Sequence, residues 1–444
     1  MKANPIRPRL SVTTGGKGVV SHVGARLLVD LAGELGLTEQ LSIAMAPTKK
    51  RRRGHDRGDV LVDLAVALAD GATAISDVRV LAHQPGLFGE VASVPTTWRT
   101  LEAIDVDTLA RIAGARAEAR RAAWVAGMDP GFYVIDIDGT LVDAHSEKEL
   151  ATPTYKRGVG FYPLVAYLDA TGEALAGLLR KGNAGSGTAE DHIGVLDAAL
   201  AQLPVDPTTA EVIVRTDSGG TSHGLADAAR ARGVRFVGGF RMQAALAQVI
   251  VATPKNRWIS AVSADGAEER ETGEVAEITD LVDLGRWPAG TRMIVRREQP
   301  HPGAQLTFTD VEGHRYQVFV TDLAEKDICY VEALFRGRGR VECRIRDAKD
   351  TGLANLPSHS FAINAAWLTV VLMAADLLAW MKALCLKGEL SRAEPKRLRY
   401  TLLHTAGLLV SSARCTTLRI AGNWPWADDL VAAFGRLPGW ATVT

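Results

Sequence analysis

The sequence has little cysteine. Its 444 residues hold four (Cys329, Cys343, Cys385 and Cys415), none in a Cys-x2-Cys pair. Their spacing suits neither a disulfide scaffold nor a zinc site, and a reduced, cytoplasmic setting is expected. Long apolar runs are also missing. The most apolar window, residues 360–375 (SFAINAAWLTVVLMAA), is closed by Asp376. It falls short of the ~20 residues that span a bilayer, so a buried core helix and no membrane partner are expected. No apolar run follows the first basic residues, and no secretory leader is expected. Net charge is absent too: 51 Lys/Arg balance 51 Asp/Glu, so no global basicity advertises a polyanionic partner. Internal repeats and low-complexity tracts are not found. The chain is long enough for two or three domains, each with its own core.

What is there is uneven. Residues 1–60 carry 11 Lys/Arg against 5 Asp/Glu, including the run Lys49, Lys50, Arg51, Arg52 and Arg53. A second basic cluster joins Arg336, Arg338, Arg340, Arg344, Arg346 and Lys349. Such patches fit phosphate backbones or simply a solvated face.

Residues 20–46, 57–85 and 96–124 show apolar residues at helical spacing, the last with Arg111, Arg116, Arg120 and Arg121 along it. Residues 1–125 are therefore expected to form an all-helical domain with a basic bias. The texture changes at Asp129-Pro130-Gly131. FYVIDIDGTLV, the two halves of FYPLVAYLDATGEALAGLLRKGN, EVIVRTDSGG and VRFVGGF read as strands, with helices over 189–203 and GLADAARARG. That β-β-β-α-β-α-β order predicts an α/β fold with a mixed sheet flanked by helices. Short strands between Gly/Pro turns over 245–328 read as a β-rich insert, and the chain beyond 331 reads as mostly helical.

Two carboxylates, Asp136 and Asp138, lie two apart on the first strand and so share a face. Burying such a pair is costly unless a cation compensates it. Asp136-Ile137-Asp138-Gly139-Thr140 resembles the opening motif of haloacid-dehalogenase-type phosphatases, with a nucleophile and then a general acid. It equally suits the first strand of a metal-dependent nuclease. Asp217 ends the fourth strand, where it is either a site residue or a turn former. In FRGRGRVECRIRDAKD, a helix would bring Phe335, Arg338, Glu342 and Lys349 to one side. The acid with its basic neighbours is either a metal ligand beside phosphate-binding groups or an ordinary ion-paired surface helix. The phosphatase reading is weakened by the absence of a later Lys followed by an acidic pair at a strand end.

Phe335-x2-Arg338-x3-Glu342-x6-Lys349 resembles, with Phe in place of Tyr, the Y-(2)-R-(3)-E-(6)-K signature of bacterial insertion-sequence transposases of the DDE class. DIDGT, VIVRTDSGG and LPSHSFAINAAWL resemble segments of that family in order, most closely the insertion-sequence group numbered thirteen-eighty. The resemblance covers roughly 20–420. It implies a ribonuclease-H-like catalytic domain (126–244 and 329–385), interrupted by the insert (245–328). A helical N-terminal domain (1–125) precedes it and a helical C-terminal region (386–444) follows. It implies catalytic, metal-binding acids at Asp138, Asp217 and Glu342, with Asp136 the rival for the first place. Two Mg2+ ions, with Mn2+ as a substitute, are implied as cofactors. Arg338, Arg346, Lys349 and the run Lys49, Lys50, Arg51, Arg52 and Arg53 are the expected phosphate contacts. Trp258 and Trp287, in the insert, would either stack on an extruded base or lie in the core. The implied partners are double-stranded DNA, as terminal inverted repeats and target, and a second copy of the chain. Action at the nucleoid is implied. An inactive DNA-binding relative is the non-enzymatic alternative.

Overall fold

The computed structural model describes residues 11–49, 54–145, 147–263, 266–300, 303, 310–311, 313–412 and 415–437. Three helices come first: α1 (Val23–Glu34), α2 (Leu37–Met45) and α3 (Arg57–Asp70). Asp56 caps α3 by accepting from the Gly58 N–H at 2.7 Å, and Gly71 ends it in a left-handed conformation (φ 114°). The expected helix over 57–85 therefore stops at Asp70. The expected helix over 96–124 is two helices, α4 (Val94–Glu102) and α5 (Val106–Ala123). Asp105 separates them, because its carboxylate accepts from the Thr108 N–H at 2.8 Å and so starts a new helix.

Strands β1 (Tyr133–Gly139), β2 (Leu164–Leu168) and β3 (Ala174–Leu178) follow as an antiparallel meander. Helix α6 (Ala189–Leu200) leads to β4 (Val212–Thr216), and α7 (His223–Ala231) to β5 (Arg235–Phe240). Both of these strands run parallel to β1. Four further strands, β6 (Ile259–Val262), β7 (Glu269–Glu277), β8 (Arg292–Glu298) and β9 (His314–Thr321), do not form a sheet of their own. β9 pairs antiparallel with β5, so one sheet runs β6-β7-β8-β9-β5-β4-β1-β2-β3.

Helices α8 (Ile328–Arg336), α9 (Arg340–Ala348) and α10 (Phe361–Trp380) return the chain to this sheet. α10 is buried nearly throughout and packs on both α3 and β3. The apolar window of 360–375 is therefore a core helix. Beyond 386, where helices are expected, short helical segments over 388–403 are followed by a hairpin of β10 (Gly407–Ser412) and β11 (Cys415–Ile420) before α11 (Ala427–Phe434). The hairpin strands GLLVSS and CTTLRI carry Val410, Thr416, Thr417 and Ile420, whose branched side chains suit a pleated surface better than a helix. The two-residue strand Val19–Val20 pairs with β10, which brings the first and last segments together.

A buried ionic cluster joins these layers. Arg120 on α5 donates to Glu173 (3.0 Å) and Asp376 (2.8 Å), and Arg116 to the other oxygen of Asp376 (2.8 Å). The Trp124 and Trp380 indoles donate to Glu173 at 3.0 and 2.8 Å, and the Ala174 N–H to Asp376 at 2.9 Å. Arg116 and Arg120 thus belong to the core rather than to a basic outer face. Their charges are matched by Glu173 just before β3 and Asp376 on α10.

Candidate active site

β1 and β4 are neighbouring parallel strands whose register ends at Ile137 opposite Thr216. The next residues on the two strands are Asp138 and Asp217. Buried Val134, Ile135 and Ile137 on one strand, and Val212, Ile213 and Val214 on the other, fix this pairing. Asp217 leaves β4 into Ser218-Gly219-Gly220, whose N–H groups at Gly219 (3.0 Å) and Gly220 (2.7 Å) both donate to its Oδ1. Gly239 on β5 closes against this turn. A Cβ there would lie 2.6 Å from the Ser218 nitrogen, which no side chain tolerates.

Asp138 accepts from the Gly139 N–H at 2.8 Å and, on its other oxygen, from Arg338 Nη2 at 3.0 Å. Burial pushes its carboxyl up to about 6; Arg338 opposes the shift and the charge of Asp217 adds to it. Two carboxylates thus share a half-enclosed space with one guanidinium. Beside them opens a cavity of about 420 Å3 lined by Asp217, Phe240, Met242, Tyr316, Gln317 and Arg338.

Asp136 lies deeper. Arg215, opposite it on β4, donates to both of its oxygens at 2.6 and 2.7 Å. Arg215 also meets Asp169 at 3.2 Å, and Asp169 in turn accepts from Arg340 Nε at 2.6 Å. Burial pushes the Asp136 carboxyl up to about 6 against the pull of Arg215. Both Asp136 oxygens are already held by the guanidinium and the residue is 1% exposed, so it offers no free oxygen for attack on a phosphorus. The phosphatase reading needs that nucleophile. Sequence reasoning passed over Arg215, although an arginine within the apolar run Val212-Ile213-Val214 signals a buried acid opposite it.

The single helix expected to carry Phe335, Arg338, Glu342 and Lys349 is interrupted. α8 ends at Arg336, a tight turn spans Gly337–Gly339, and α9 begins at Arg340. Phe335 is buried and stacked on Phe319 at 4.5 Å, so it packs the helix onto the sheet. Arg338 reaches Glu342 at 3.6 Å while bonded to Asp138, and so bridges the strand acid and the helix acid. The Glu342 side chain is 69% exposed. Lys349 is half-buried at the end of α9, where burial lowers its pKa and Asp143 counters the effect. Arg346 turns to Asp347 and Glu394, each at 3.5 Å. Lys49 is half-buried after α2, whereas Lys50, Arg51, Arg52 and Arg53 lie outside the described residues. Trp258 is buried under the Arg297 guanidinium, 4.0 Å from its ring, and Trp287 packs among His223, Phe236 and Phe240. Both tryptophans are engaged in packing.

The donor set suits a hard divalent cation. Asp138 and Asp217 offer carboxylate oxygens from adjacent strand ends, and their mutual repulsion is what a cation would relieve. Glu342 is held to the same guanidinium from the other side.

A family model described as "Transposase DDE domain group 1" matches residues 4–441. No curated protein matches the chain. Among solved structures, the cryo-EM structure of the piggyBac transposase synaptic complex with hairpin DNA is similar over 85% of this chain and 80% of that one. The identity is 9% and the TM-score 0.39.

Proposed function

Because the chain belongs to the transposase DDE domain group 1 family, we propose that it binds the ends of an insertion sequence, cuts them and transfers the freed strands to target DNA. The observation that carries this reading is the convergence of Asp138 and Asp217 at adjacent parallel strand ends, with Arg338 linking Asp138 to Glu342. The three acids are the proposed metal ligands. The meander followed by two parallel strands supports a ribonuclease-H-like core. The Phe335–Lys349 signature supports kinship with the thirteen-eighty group of bacterial insertion sequences.

When bound, two divalent ions, Mg2+ or Mn2+, would activate the attacking oxygen and offset charge on the leaving one. The chain's own task is then placement and charge compensation. Asp138 must be ionised, and the Gly139 N–H and Arg338 both favour that form. Asp217 is aimed by the Gly219 and Gly220 N–H groups, which leave its Oδ2 without a hydrogen-bond partner among the described residues. The buried Asp136–Arg215–Asp169 layer braces both strand ends beneath them. Arg338, once the acids are otherwise compensated, is positioned to turn its guanidinium to a phosphate. Lys349, Arg346, Lys49, Lys50, Arg51, Arg52 and Arg53 are the proposed further phosphate contacts. They would act on terminal inverted repeats and target DNA held by a dimer of the chain at the nucleoid.

The test is strand cleavage of duplex DNA carrying the element's own ends, with and without Mg2+. Metal-dependent nicking at the element boundary is expected. Hydrolysis of a small phosphomonoester, with no DNA cut under the same conditions, would replace this reading with a phosphatase.

A further inference from the structure

Far from the three acids in the chain, three distant segments meet at the carboxyl end of α3. Asp70, the last residue of that helix, is 6% exposed. Its Oδ2 lies 2.6 Å from His22 Nδ1 and its Oδ1 3.4 Å from His404 Nε2. The two imidazole rings are 4.6 Å apart, and one donor atom from each of the three residues lies within 4.8 Å of the others. Two features are not explained by ordinary packing. Asp70 Oδ1 is buried and has nothing closer than the 3.4 Å contact with His404 Nε2, which lies nearer the Asp70 carbonyl oxygen at 2.8 Å, so this carboxylate oxygen is weakly served. His22 is held in the left-handed region (φ 55°, ψ 34°), a strained conformation that brings its ring to Asp70.

We infer that His22, Asp70 and His404 form a binding site for one divalent transition-metal ion of the zinc class. Two imidazole nitrogens and one carboxylate oxygen are the donors that such ions prefer, whereas Mg2+ takes oxygens in an octahedron. Bonds of ~2.0–2.1 Å in a tetrahedron put donors ~3.3 Å apart. The separation of His404 from Oδ1 already meets this; His22 faces the other oxygen, Oδ2, at 2.6 Å, so the carboxylate must turn to present one oxygen to both rings. The end of α3 adds the negative pole of a helix to the Asp70 charge. The Arg399 guanidinium nearby is spent on the carbonyls of Ala69, Leu68 and Asp350. A fourth ligand has access: the His22 and His404 side chains are 24% and 44% exposed, and a cavity of about 400 Å3 opens beside His404. An ion there would clamp the segment before α1 and the segment before β10 onto α3.

The experiment uses the full chain, stripped with a chelator and then titrated with Zn2+ in excess Mg2+. One Zn2+ per chain is expected, with a melting temperature that rises with zinc concentration. Co2+ in its place should give the ligand-field absorption of a four- or five-coordinate ion. His22→Asn keeps a residue that tolerates the left-handed region, and His404→Gln keeps a donor for the Asp70 carbonyl. Each should weaken zinc binding at least about tenfold, with the zinc-dependent rise in melting temperature lost relative to that variant's own metal-free value. Asp138→Asn should bind zinc as the parent does, which separates this site from the proposed catalytic one. No zinc uptake at micromolar free metal, or equal uptake by both histidine variants, would overturn the site and leave a hydrogen-bonded cluster.

Discussion

Two arginine–carboxylate clusters flank the same sheet, and their difference lies in what is left over. In the cluster of Arg116, Arg120, Glu173 and Asp376, every carboxylate oxygen is accounted for by guanidinium, indole or backbone donors, and all four residues are buried. In the cluster of Asp138, Asp217, Arg338 and Glu342, one guanidinium serves Asp138 and Glu342, a backbone turn serves Asp217, and Glu342 remains mostly in solvent. The first arrangement is saturated and can only hold the layers together. The second has acceptor capacity to spare and a raised Asp138 pKa, the signs of a place prepared for something positive. Residue types alone do not distinguish them; the count of satisfied lone pairs does.

Removing a carboxylate from the saturated cluster should have the largest effect. Asp376→Ala strands Arg116 and Arg120 in the core, and a loss of about 3–5 kcal/mol is expected from denaturant unfolding. A loss below about 1 kcal/mol would mean that the cluster is not closed as described. Glu342→Gln should do the opposite. Strand cleavage should drop by about 100-fold or more, equivalent to ~2.7 kcal/mol in the barrier. The unfolding midpoint should barely move, because an exposed pair with Arg338 contributes roughly 0–1 kcal/mol. A Glu342→Gln protein that cuts DNA at the parental rate would sink the triad.

The pH dependence sharpens the contrast further. Asp138 and Asp136 have carboxyl pKa values raised from 3.8 to about 6 in the folded chain. The folded state therefore binds their protons more tightly than the unfolded state. Without divalent cations, stability should fall as pH rises from about 4 to about 6 and then level, by on the order of 1–3 kcal/mol per group. Asp138→Asn should roughly halve that slope, and affinity for Mg2+ should weaken as pH drops through about 6. An unchanged slope in Asp138→Asn would place its carboxyl in an ordinary, solvated setting. The smallest effect is expected from Lys349→Ala. DNA affinity should become less steeply salt-dependent by about 0.9 in the log–log slope, while Asp217→Ala leaves end binding intact.

Much of this was legible because the signals are local. The strand pattern in FYVIDIDGTLV and the VIV run before Asp217 each speak for a few residues of chain. The carboxylates at strand ends stand out for the same reason. What a linear reading missed depends on partners far away. Arg116 and Arg120 look like a basic helix face until Glu173 and Asp376 arrive from 53 and 256 residues along. The strands from Ile259 onward read as a β-rich insert, but the pairing of β9 with the free edge of β5 is not written in their own residues. The hairpin at Gly407–Ile420 needs Val19–Val20 as its third strand, which lies almost a whole chain length away.

That separation has a consequence for synthesis. The apolar surface of α3 is covered by α10, whose last residue is translated some 310 positions after α3 ends. At ~5–20 residues per second, the nascent chain carries that surface uncovered for roughly 15–60 s. A ribosome stalled before residue 361 would hold a sticky fragment, dependent on chaperones and open to proteolysis.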